Sequence, residues 1–286
     1  MGRSLSRSLT LGKIGYINVL PIYYPLEAGL VSHPFTIVSG SPAQLNGLAA
    51  QGLLDVSSVS SVEYARHPEL YVLVPDLSIS SRGPVGSVLL LSQIPMEELD
   101  GRPLLTTAQS HSSALLVRIL FSLRLGIRPD YRTGHPAEAL ANGDAPLAML
   151  LIGDDALRFR NHPRYPYTWD LGEVWHDWTG LPFVFGVWVI QRSALELPDE
   201  CLRTAVDSLI AAKTWGCAHL DDICWQAMPY GLMDHAELTR YYLGLRFHLS
   251  AVEEAGLRAF FGCLKDIGEI SQVPPVEFYS PMARVA

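Results

Sequence analysis

The first apolar run of the chain, residues 13–21, contains polar and cyclic residues in an order that constrains its backbone. It reads Lys-Ile-Gly-Tyr-Ile-Asn-Val-Leu-Pro, so Asn18 stands inside the run and Pro21 closes it. Asn is depleted in strands, and a proline moves the residue before it away from helical geometry. The pattern predicts a strand over residues 14–19 with Asn18 at its carboxyl end, where ligands bind in α/β sheets. An asparagine that satisfies only its own turn fits this spacing equally well.

Strand-like and helix-like segments alternate over the first two thirds of the 286-residue chain. Short apolar runs bounded by Gly, Pro or Ser predict strands, and apolar residues at helical spacing predict helices. The predicted strands are residues 14–19, 35–38, 54–60, 70–74, 85–91, 104–107, 145–152 and 182–190. The predicted helices are residues 42–48, 112–125, 136–142, 200–218, 220–228, 235–243 and 251–266. We therefore predict an α/β fold with a helical C-terminal region.

Two strand-rich blocks followed by a return of the chain predict two lobes that are connected by two crossings. We place the crossings near residues 91–94 and 189–192. Lobe 1 is then discontinuous and comprises residues 1–92 and 190–286, and lobe 2 comprises residues 93–189. The sequence leaves open whether the C-terminal helices pack on lobe 1 or form a dimer face.

The charge and hydropathy of the chain exclude several classes of protein. The formal net charge is −8 and no cluster of Lys and Arg is present, so we expect no nucleic-acid partner. No segment reaches the ~18 apolar residues of a transmembrane helix, and the N-terminus lacks the ~7–15 apolar residues of a secretory signal. We therefore expect a cytoplasmic protein with no membrane partner. Its oligomeric state is not determined by the sequence, which leaves a dimer open.

Motifs for metal, nucleotide and triad chemistry are absent from the sequence. The four cysteines form no Cys-x-x-Cys pair, and the nine histidines are scattered singly, so we expect no metal site. Gly-x-Ser-x-Gly, Gly-x-Gly-x-x-Gly and Walker sequences are missing as well, which disfavours triad hydrolysis and nucleotide chemistry. Aromatic residues crowd positions 169–188, where a core role is more typical than a ligand cage.

Polar residues at the ends of predicted strands are the first candidates for a binding site. Ser60 belongs to a group of four serines after an apolar run, and a serine there is also a common helix cap. Ser87 is a lone hydroxyl in an apolar strand beside a glycine. Gly153 permits close approach of the backbone, and Asp154 beside it is more typical of a helix cap than of a base. We count all four among the substrate-binding candidates.

A second group of candidates lies between the strand at 104–107 and the helix that follows it. Free N–H groups and the helix dipole make a helix N-terminus favourable for anions, and hydroxyl groups there add donors. The candidates for binding a carboxylate at this turn are Thr107, Ser110, His111 and Ser112. The alternative is one serine that caps the helix while the others are solvated.

In chain order, four segments resemble the chorismate dehydratases of the futalosine route to menaquinone. They are residues 16–21 (Tyr-Ile-Asn-Val-Leu-Pro), 55–65 (Asp-Val-Ser-Ser-Val-Ser-Ser-Val-Glu-Tyr-Ala), 151–157 (Leu-Ile-Gly-Asp-Asp-Ala-Leu) and 170–188, which contains Thr-Gly-Leu-Pro-Phe-Val-Phe. These segments are specific in combination and weak singly. One departure is Ser-Val-Ser-Ser at 58–61, where the family often has an apolar residue and a proline.

The resemblance implies a two-lobe, periplasmic-binding-protein-like fold of the second type. It also implies dehydration of chorismate to 3-[(1-carboxyvinyl)oxy]benzoate, with no metal or organic cofactor. By position, Asn18 matches the active-site asparagine of the family, and we take it as the catalytic residue. Ser87 and residues 107–112 match the segments of the family that contact the substrate.

The matched positions supply an amide and hydroxyls but no obvious general base. We therefore expect a carboxylate of the substrate to take the proton, with Asn18 orienting that group or stabilising developing charge. His111 is the alternative base on the protein. Three other functions stay open: a non-catalytic protein that binds a small carboxylate, the later dihydroxynaphthoate synthase of the same route, and a sensor domain.

Overall fold

Two β-sheets organise the protein, whose computed structural model describes residues 8–107 and 111–281. The strands are β1 (Leu9–Ile14), β2 (Phe35–Gly40), β3 (Val56–Ser60), β4 (Tyr71–Ser81), β5 (Val88–Ser92), β6 (Pro103–Thr107), β7 (Asp130–Gly134), β8 (Ala148–Ile152), β9 (Tyr167–Asp170), β10 (Phe183–Gln191) and β11 (Leu245–Arg246). The helices are α1 (Leu20–Glu27), α2 (Pro42–Ala50), α3 (Ser61–Arg66), α4 (His111–Ile119), α5 (Pro136–Ala141), α6 (Gly153–Phe159), α7 (Leu171–Thr179), α8 (Asp199–Ala218), α9 (Leu220–Ala227), α10 (His235–Gly244) and α11 (Ala251–Asp266).

Each sheet is the centre of one lobe. The first sheet has the strand order β11-β4-β10-β3-β1-β2, and the second has the order β7-β6-β8-β5-β9. Both sheets are mixed: β1 is parallel to β2 and β3, whereas β10 is antiparallel to β3. In the second sheet β6 is parallel to β7 and β8, and β5 is antiparallel to β8. This arrangement is an α/β fold with a helical C-terminal region, as predicted.

The change from one sheet to the other occurs earlier in the chain than the predicted lobe boundaries. The strand β5 pairs with β8 and β9 in the second sheet, although the prediction placed it in lobe 1. The strand β10 pairs with β3 and β4 in the first sheet, although the prediction placed it in lobe 2. Two segments therefore connect the lobes: the first crossing, residues 82–87, and the second crossing, residues 180–182. Apolar composition does not reveal which sheet a strand joins, because both strands are buried.

The segment that contains Asn18 differs from the predicted strand. The strand β1 ends at Ile14, and Asn18 lies in the short 3₁₀ turn Ile17–Val19 that leads into α1. Pro21 lies in the first turn of α1, where a proline is tolerated because the N–H it lacks would have no partner inside the helix. The proline thus marks the start of a helix rather than the end of a strand.

Three edge strands and four helices were not among the predicted segments. The strands are β7 (Asp-Tyr-Arg-Thr-Gly), β9 (Tyr-Thr-Trp-Asp) and the two-residue β11, and the helices are α1, α3, α6 and α7. The strands β7 and β9 lie at the edges of the second sheet and β11 lies at an edge of the first, where polar residues are common because one side meets solvent. They therefore lack the apolar runs that indicate a buried strand.

The C-terminal helices pack on the first lobe. The helix α8 lies against α1, and α11 lies against β10. Both contacts require glycine, because a Cβ at Gly216 would lie 1.8 Å from the carbonyl oxygen of Pro21 and a Cβ at Gly256 would lie 2.1 Å from that of Pro182. The backbone after Asn18 and the backbone of the second crossing are thus in direct contact with C-terminal helices.

We expect Gly216→Ala to destabilise the protein by about 1–3 kcal/mol, because the added methyl group must push α8 away from α1. Gly262→Ala is the matched control, since it lies in α11 and a Cβ there meets nothing within 4 Å. The control should stabilise the protein by about 0.5–1 kcal/mol, the usual gain of alanine over glycine in a helix. Urea unfolding measures both changes, and equal effects would contradict the packing described.

Candidate functional site

A cavity lies between the two lobes and encloses about 610 Å³ of empty space, part of which is open to solvent. Both lobes and the first crossing contribute to its wall. The polar side chains in the wall are those of Tyr16, Asn18, Ser60, Ser87 and Ser113, and the apolar ones are those of Ile14, Pro42, Val59, Ile79, Val85, Val88, Ile152 and Phe185. Gly153 and Gly186 complete the wall. This mixture suits a small ligand with an apolar body and a few polar groups.

Asn18 contributes the least satisfied polar group of this wall. Its Oδ1 is buried and has no hydrogen-bond partner among the described residues. Leaving such an oxygen unpaired costs about 1–3 kcal/mol, so the fold holds Asn18 in this position at a cost in stability. An asparagine that served its own turn would instead have its amide oxygen bonded there.

The turn that carries Asn18 is fixed through the backbone of the preceding residue. The N–H of Ile17 donates to Oδ1 of Asp154 in lobe 2 at 3.2 Å. The carbonyl of Ile17 accepts from the hydroxyl of Tyr242 in α10 at 2.9 Å. Asn18 is therefore held by lobe 2 and by the C-terminal helices at once.

The residues Gly153 and Asp154 at the start of α6 serve the site in different ways. Gly153 lines the cavity with φ +54°, and a Cβ there would lie 2.9 Å from the ring of Tyr16, so glycine is required. Asp154 was predicted to bind substrate, but it lies outside the cavity lining and holds the N–H of Ile17. Burial raises the pKa of Asp154, that N–H bond opposes the shift, and the charge of Asp155 adds to it.

Ser87 lies in the cavity wall at the end of the first crossing. It is buried, and its Oγ accepts a hydrogen bond from the hydroxyl of Tyr241 at 3.1 Å. Its carbonyl accepts from the N–H of Gly153 at 2.7 Å. The hydroxyl hydrogen of Ser87 can still be donated to a ligand, because Tyr241 is the donor in their bond.

The carboxylate of Asp170, which was not among the predicted site residues, holds the first crossing. Asp170 accepts the N–H of Val85 at 3.0 Å and that of Gly86 at 2.6 Å. As the N-cap of α7 it also accepts the N–H groups of Gly172 and Glu173. Burial raises the pKa of this carboxyl, and the four backbone donors oppose the shift. Asp is a favoured N-cap residue, but this signal is readable only when the helix after it is recognised, and α7 was not among the predicted helices.

Ser60 caps a helix and also lies in the cavity wall. Its Oγ accepts the N–H of Glu63 at 3.2 Å as the N-cap of α3, and it accepts from Nδ2 of Asn46 at 3.3 Å. The same residue lines the cavity. Because Oγ of Ser60 accepts from two fixed donors, the direction of its own O–H bond is restricted.

The predicted anion site at the start of α4 reaches the cavity through a different residue. Ser113 lines the cavity, whereas Oγ of Ser112 accepts the N–H of Val62 at 3.1 Å. That bond joins lobe 2 to α3 of lobe 1. Ser110 lies outside the described residues.

Thr107 and His111 also lie outside the cavity lining. Thr107 ends β6 and lines a smaller pocket with His135 and Pro136. His111 lies beside Arg66, with 3.4 Å between Nδ1 and the guanidinium nitrogen. Burial, and then the charge of Arg66, lower the pKa of His111, while Glu63 and Glu269 oppose the shift.

Tyr16 and Phe185 belong to the wall but were not among the predicted site residues. Tyr16 precedes the 3₁₀ turn, which has no hydrophobic period that a sequence would reveal. Phe185 was assigned to an aromatic core, yet the register of β10 against β4 shifts between Val184 and Gly186. A bulge of this kind re-aims a side chain, and here it accompanies a half-buried Phe185 in the cavity.

The described ranges, 8–107 and 111–281, contain neither a candidate metal site nor a membrane-spanning helix. No group of three or more His, Cys, Asp or Glu side chains is close enough there to hold a metal ion. No helix in the same ranges has the length and apolarity needed to span a membrane.

We expect Asp155→Asn to raise the thermal stability more at pH ~8 than at pH ~4. Burial raises the pKa of the Asp155 carboxyl, with Glu138 adding to the shift and Arg158 opposing it. A carboxyl with a raised folded-state pKa binds its proton more tightly when folded, so its ionisation penalises folding once the pH exceeds the unfolded value of ~4. The substitution removes this penalty and should raise Tm by roughly 1–2 °C at the higher pH.

The matched control for Asp155→Asn is Asp177→Asn. Asp177 is exposed on α7 and has no ion pair with any described residue. Calorimetric scans of both variants at the two pH values measure the effect. A loss of stability at pH ~8 in Asp155→Asn would show that its negative charge is favourable there.

Several proteins of known structure share this two-lobe fold. An Archaeoglobus fulgidus protein superposes with a TM-score of 0.74 at 17% identity, covering 93% of this chain and 100% of that one. A Candida albicans protein described as having the generic periplasmic binding protein fold has a TM-score of 0.67 at 11% identity, with 94% and 92% covered. The periplasmic aliphatic sulphonate binding protein SsuA of Escherichia coli has a TM-score of 0.65 at 15% identity, with 96% and 92% covered. The predicted periplasmic-binding-protein-like fold is confirmed.

Sequence comparison identifies more closely related proteins. A Thermus thermophilus protein named chorismate dehydratase is 32% identical over 270 residues, which cover 89% of this chain and 94% of the relative. A Campylobacter jejuni protein of the same name is 29% identical over 193 residues, with 65% and 70% covered. A 1,4-dihydroxy-6-naphtoate synthase of Thermus thermophilus is 27% identical over 220 residues, with 75% and 76% covered.

The family model described as menaquinone biosynthesis matches residues 9–266, which is most of the chain. Together with the 32% identity to a relative that is covered almost end to end, this match shows that the chain belongs to the menaquinone biosynthesis family.

Proposed function

We propose that this protein is a chorismate dehydratase, a hydro-lyase that converts chorismate to 3-[(1-carboxyvinyl)oxy]benzoate and water. The observation that carries the proposal is the position of Asn18 in the wall of the cavity between the lobes, with an amide oxygen that is buried and has no partner among the described residues. The name of the relative that is 32% identical over 89% of the chain supports the same reaction.

The reaction needs a base for one carbon-bound proton. Loss of the C4 hydroxyl and the C3 proton makes the ring of chorismate aromatic, so the equilibrium favours product and the barrier lies in removing that proton. None of the described residues in the cavity wall is Asp, Glu, His or Lys. Tyr16 is a poor base there, because burial and then Asp155 and Asp154 raise its pKa. A carboxylate of the substrate is therefore the base that this wall leaves available.

Asn18 is suited to hold both reacting parts of the substrate. A carboxamide offers two N–H donors and one acceptor oxygen. The N–H groups match a carboxylate, and Oδ1 matches the C4 hydroxyl, which is the only O–H group of the chorismate dianion. Held in this way, the carboxylate and the hydroxyl have a fixed orientation, which lowers the entropic cost of the reaction. The carboxylate takes the C3 proton, the electrons of the C3–H bond form the new ring double bond, and the C4–O bond breaks. The carboxylic acid then returns this proton to the leaving hydroxide, which gives water and restores the carboxylate.

Contacts between the lobes support a closed cavity from which water is excluded. The N–H of Val62 in lobe 1 donates to Ser112 in lobe 2, and the N–H of Ile17 donates to Asp154. Closure of this kind strengthens the polar contacts to a substrate and prevents side reactions. The hydroxyls of Ser60 and Ser87 then remain as donors for the substrate carboxylates.

The proposed reaction is tested by incubating the purified protein with chorismate and following the products by mass spectrometry. We expect a product that is lighter than chorismate by one water, formed in equal amount to the chorismate consumed. Binding of chorismate without turnover would instead indicate a carboxylate-binding protein or a sensor domain. Chorismate that is neither bound nor consumed would contradict the proposal and favour the naphthoate synthase.

We expect Asn18→Ala to lower kcat by about 10²–10³-fold, which is typical of losing one positioned amide that stabilises a transition state. Chorismate binding should change less, because the serine hydroxyls are retained. Asn142→Ala, on the exposed end of α5, is the control and should keep full activity. Steady-state kinetics with calorimetric binding separates the two effects, and an unchanged kcat in Asn18→Ala would remove Asn18 from the mechanism.

We expect His111→Ala to keep kcat within about threefold of the parent, because His111 lies outside the cavity lining. His67→Ala, an exposed histidine of lobe 1 that follows α3, is the control for loss of an imidazole. If His111→Ala abolishes turnover while chorismate still binds, the base is on the protein and the substrate-assisted scheme is wrong.

A further inference from the structure

A second groove adjoins the first crossing, separate from the cavity. Its empty volume is about 1000 Å³, and it is bounded by the crossing, by α6 and by α10 with β11. Val85 belongs to the walls of both the groove and the cavity. Tyr241 lines the groove and donates to Ser87 of the cavity. The groove therefore lies directly against the segment that shapes the proposed active site.

The groove concentrates positive charge on a chain whose formal net charge is −8. Four arginines line it, and Glu237 is the single acidic residue in its lining. Arg160 already pairs with Glu237 at 2.8 Å. The remaining three, Arg82, Arg240 and Arg246, have exposed side chains and no ion pair with any described residue.

Two of the three free arginines lie at the same end of the first sheet. Arg246 in β11 stands opposite Ser80 in β4, and Arg82 directly follows Ser81, the last residue of β4. Both arginines line the groove. Two positive charges that share one groove repel one another, and an anion bound between them would relieve that repulsion.

We propose that this groove binds a small polyanion, of the class of polycarboxylates and phosphate esters. The guanidinium group presents a rigid fork of donors that fits carboxylate and phosphate oxygens in pairs. The rest of the groove includes the apolar side chains of Leu157, Met233 and Leu243, which suit the carbon skeleton of a metabolite. This site is additional to the dehydration of chorismate and does not depend on it.

The experiment uses isothermal titration calorimetry with citrate and with inorganic pyrophosphate, at a constant ionic strength of ~0.15 M. The double variant Arg82→Gln/Arg246→Gln is compared with the parent and with Arg124→Gln. Arg124 is an exposed arginine in the π-helical turn after α4, outside the groove and without an ion pair among the described residues. A fourth sample, Asn18→Asp, places a negative charge in the cavity wall and leaves the groove intact.

We expect at least one probe to bind with a Kd below ~1 mM, and binding to weaken at least tenfold in the double variant while the Arg124→Gln and Asn18→Asp proteins keep it. Binding of citrate alone assigns a polycarboxylate, and binding of pyrophosphate alone assigns a phosphate ester. Without any probe, the double variant should have a Tm equal to or above that of the parent, because repulsion is relieved. The proposal is overturned if neither probe binds, if the control loses binding equally, or if only Asn18→Asp loses it.

Discussion

The site depends on two hydrogen bonds made by the backbone of Ile17. Lobe 2 holds the N–H through Asp154, and the C-terminal helices hold the carbonyl through Tyr242. These two bonds fix the turn that carries Asn18, whose buried Oδ1 has no partner among the described residues, at a cost of about 1–3 kcal/mol. The close contact of Gly216 with Pro21 extends the same support to the start of α1.

Acidic residues support the cavity from behind instead of lining it. Asp154 holds the Asn18 turn and Asp170 holds the first crossing, each by accepting backbone N–H groups. Burial raises the pKa of both carboxyls, and neither residue is in the cavity wall. A wall of amide, hydroxyl and apolar groups avoids the repulsion that carboxylates would exert on a dianionic substrate. It also leaves the substrate to supply its own base.

The parts of the site that the sequence predicts are those that lie at strand-to-helix junctions. Asn18, Ser60 and Gly153 lie at such junctions in the cavity wall, and Ser87 reaches the wall from the loop before β5. The helix α11 spans the predicted residues 251–266. Ser113 lines the wall where Ser112 was predicted, because one residue of a helix is a rotation of about 100° and the phase of a helix start is not fixed by hydroxyl content. The bulge that accompanies Phe185 has no local sequence signature, and the groove arginines come from distant parts of the chain.

A crystal structure of the Asn18→Ala variant soaked with chorismate is the most direct test of the proposed site and of the substrate-assisted mechanism. We expect chorismate between the lobes, with its C4 hydroxyl directed at the space left by the missing amide. One of its own carboxylates should then be the nearest basic group to C3. Chorismate bound outside this cavity, or a carboxylate or imidazole of the protein within ~3.5 Å of C3, would contradict it.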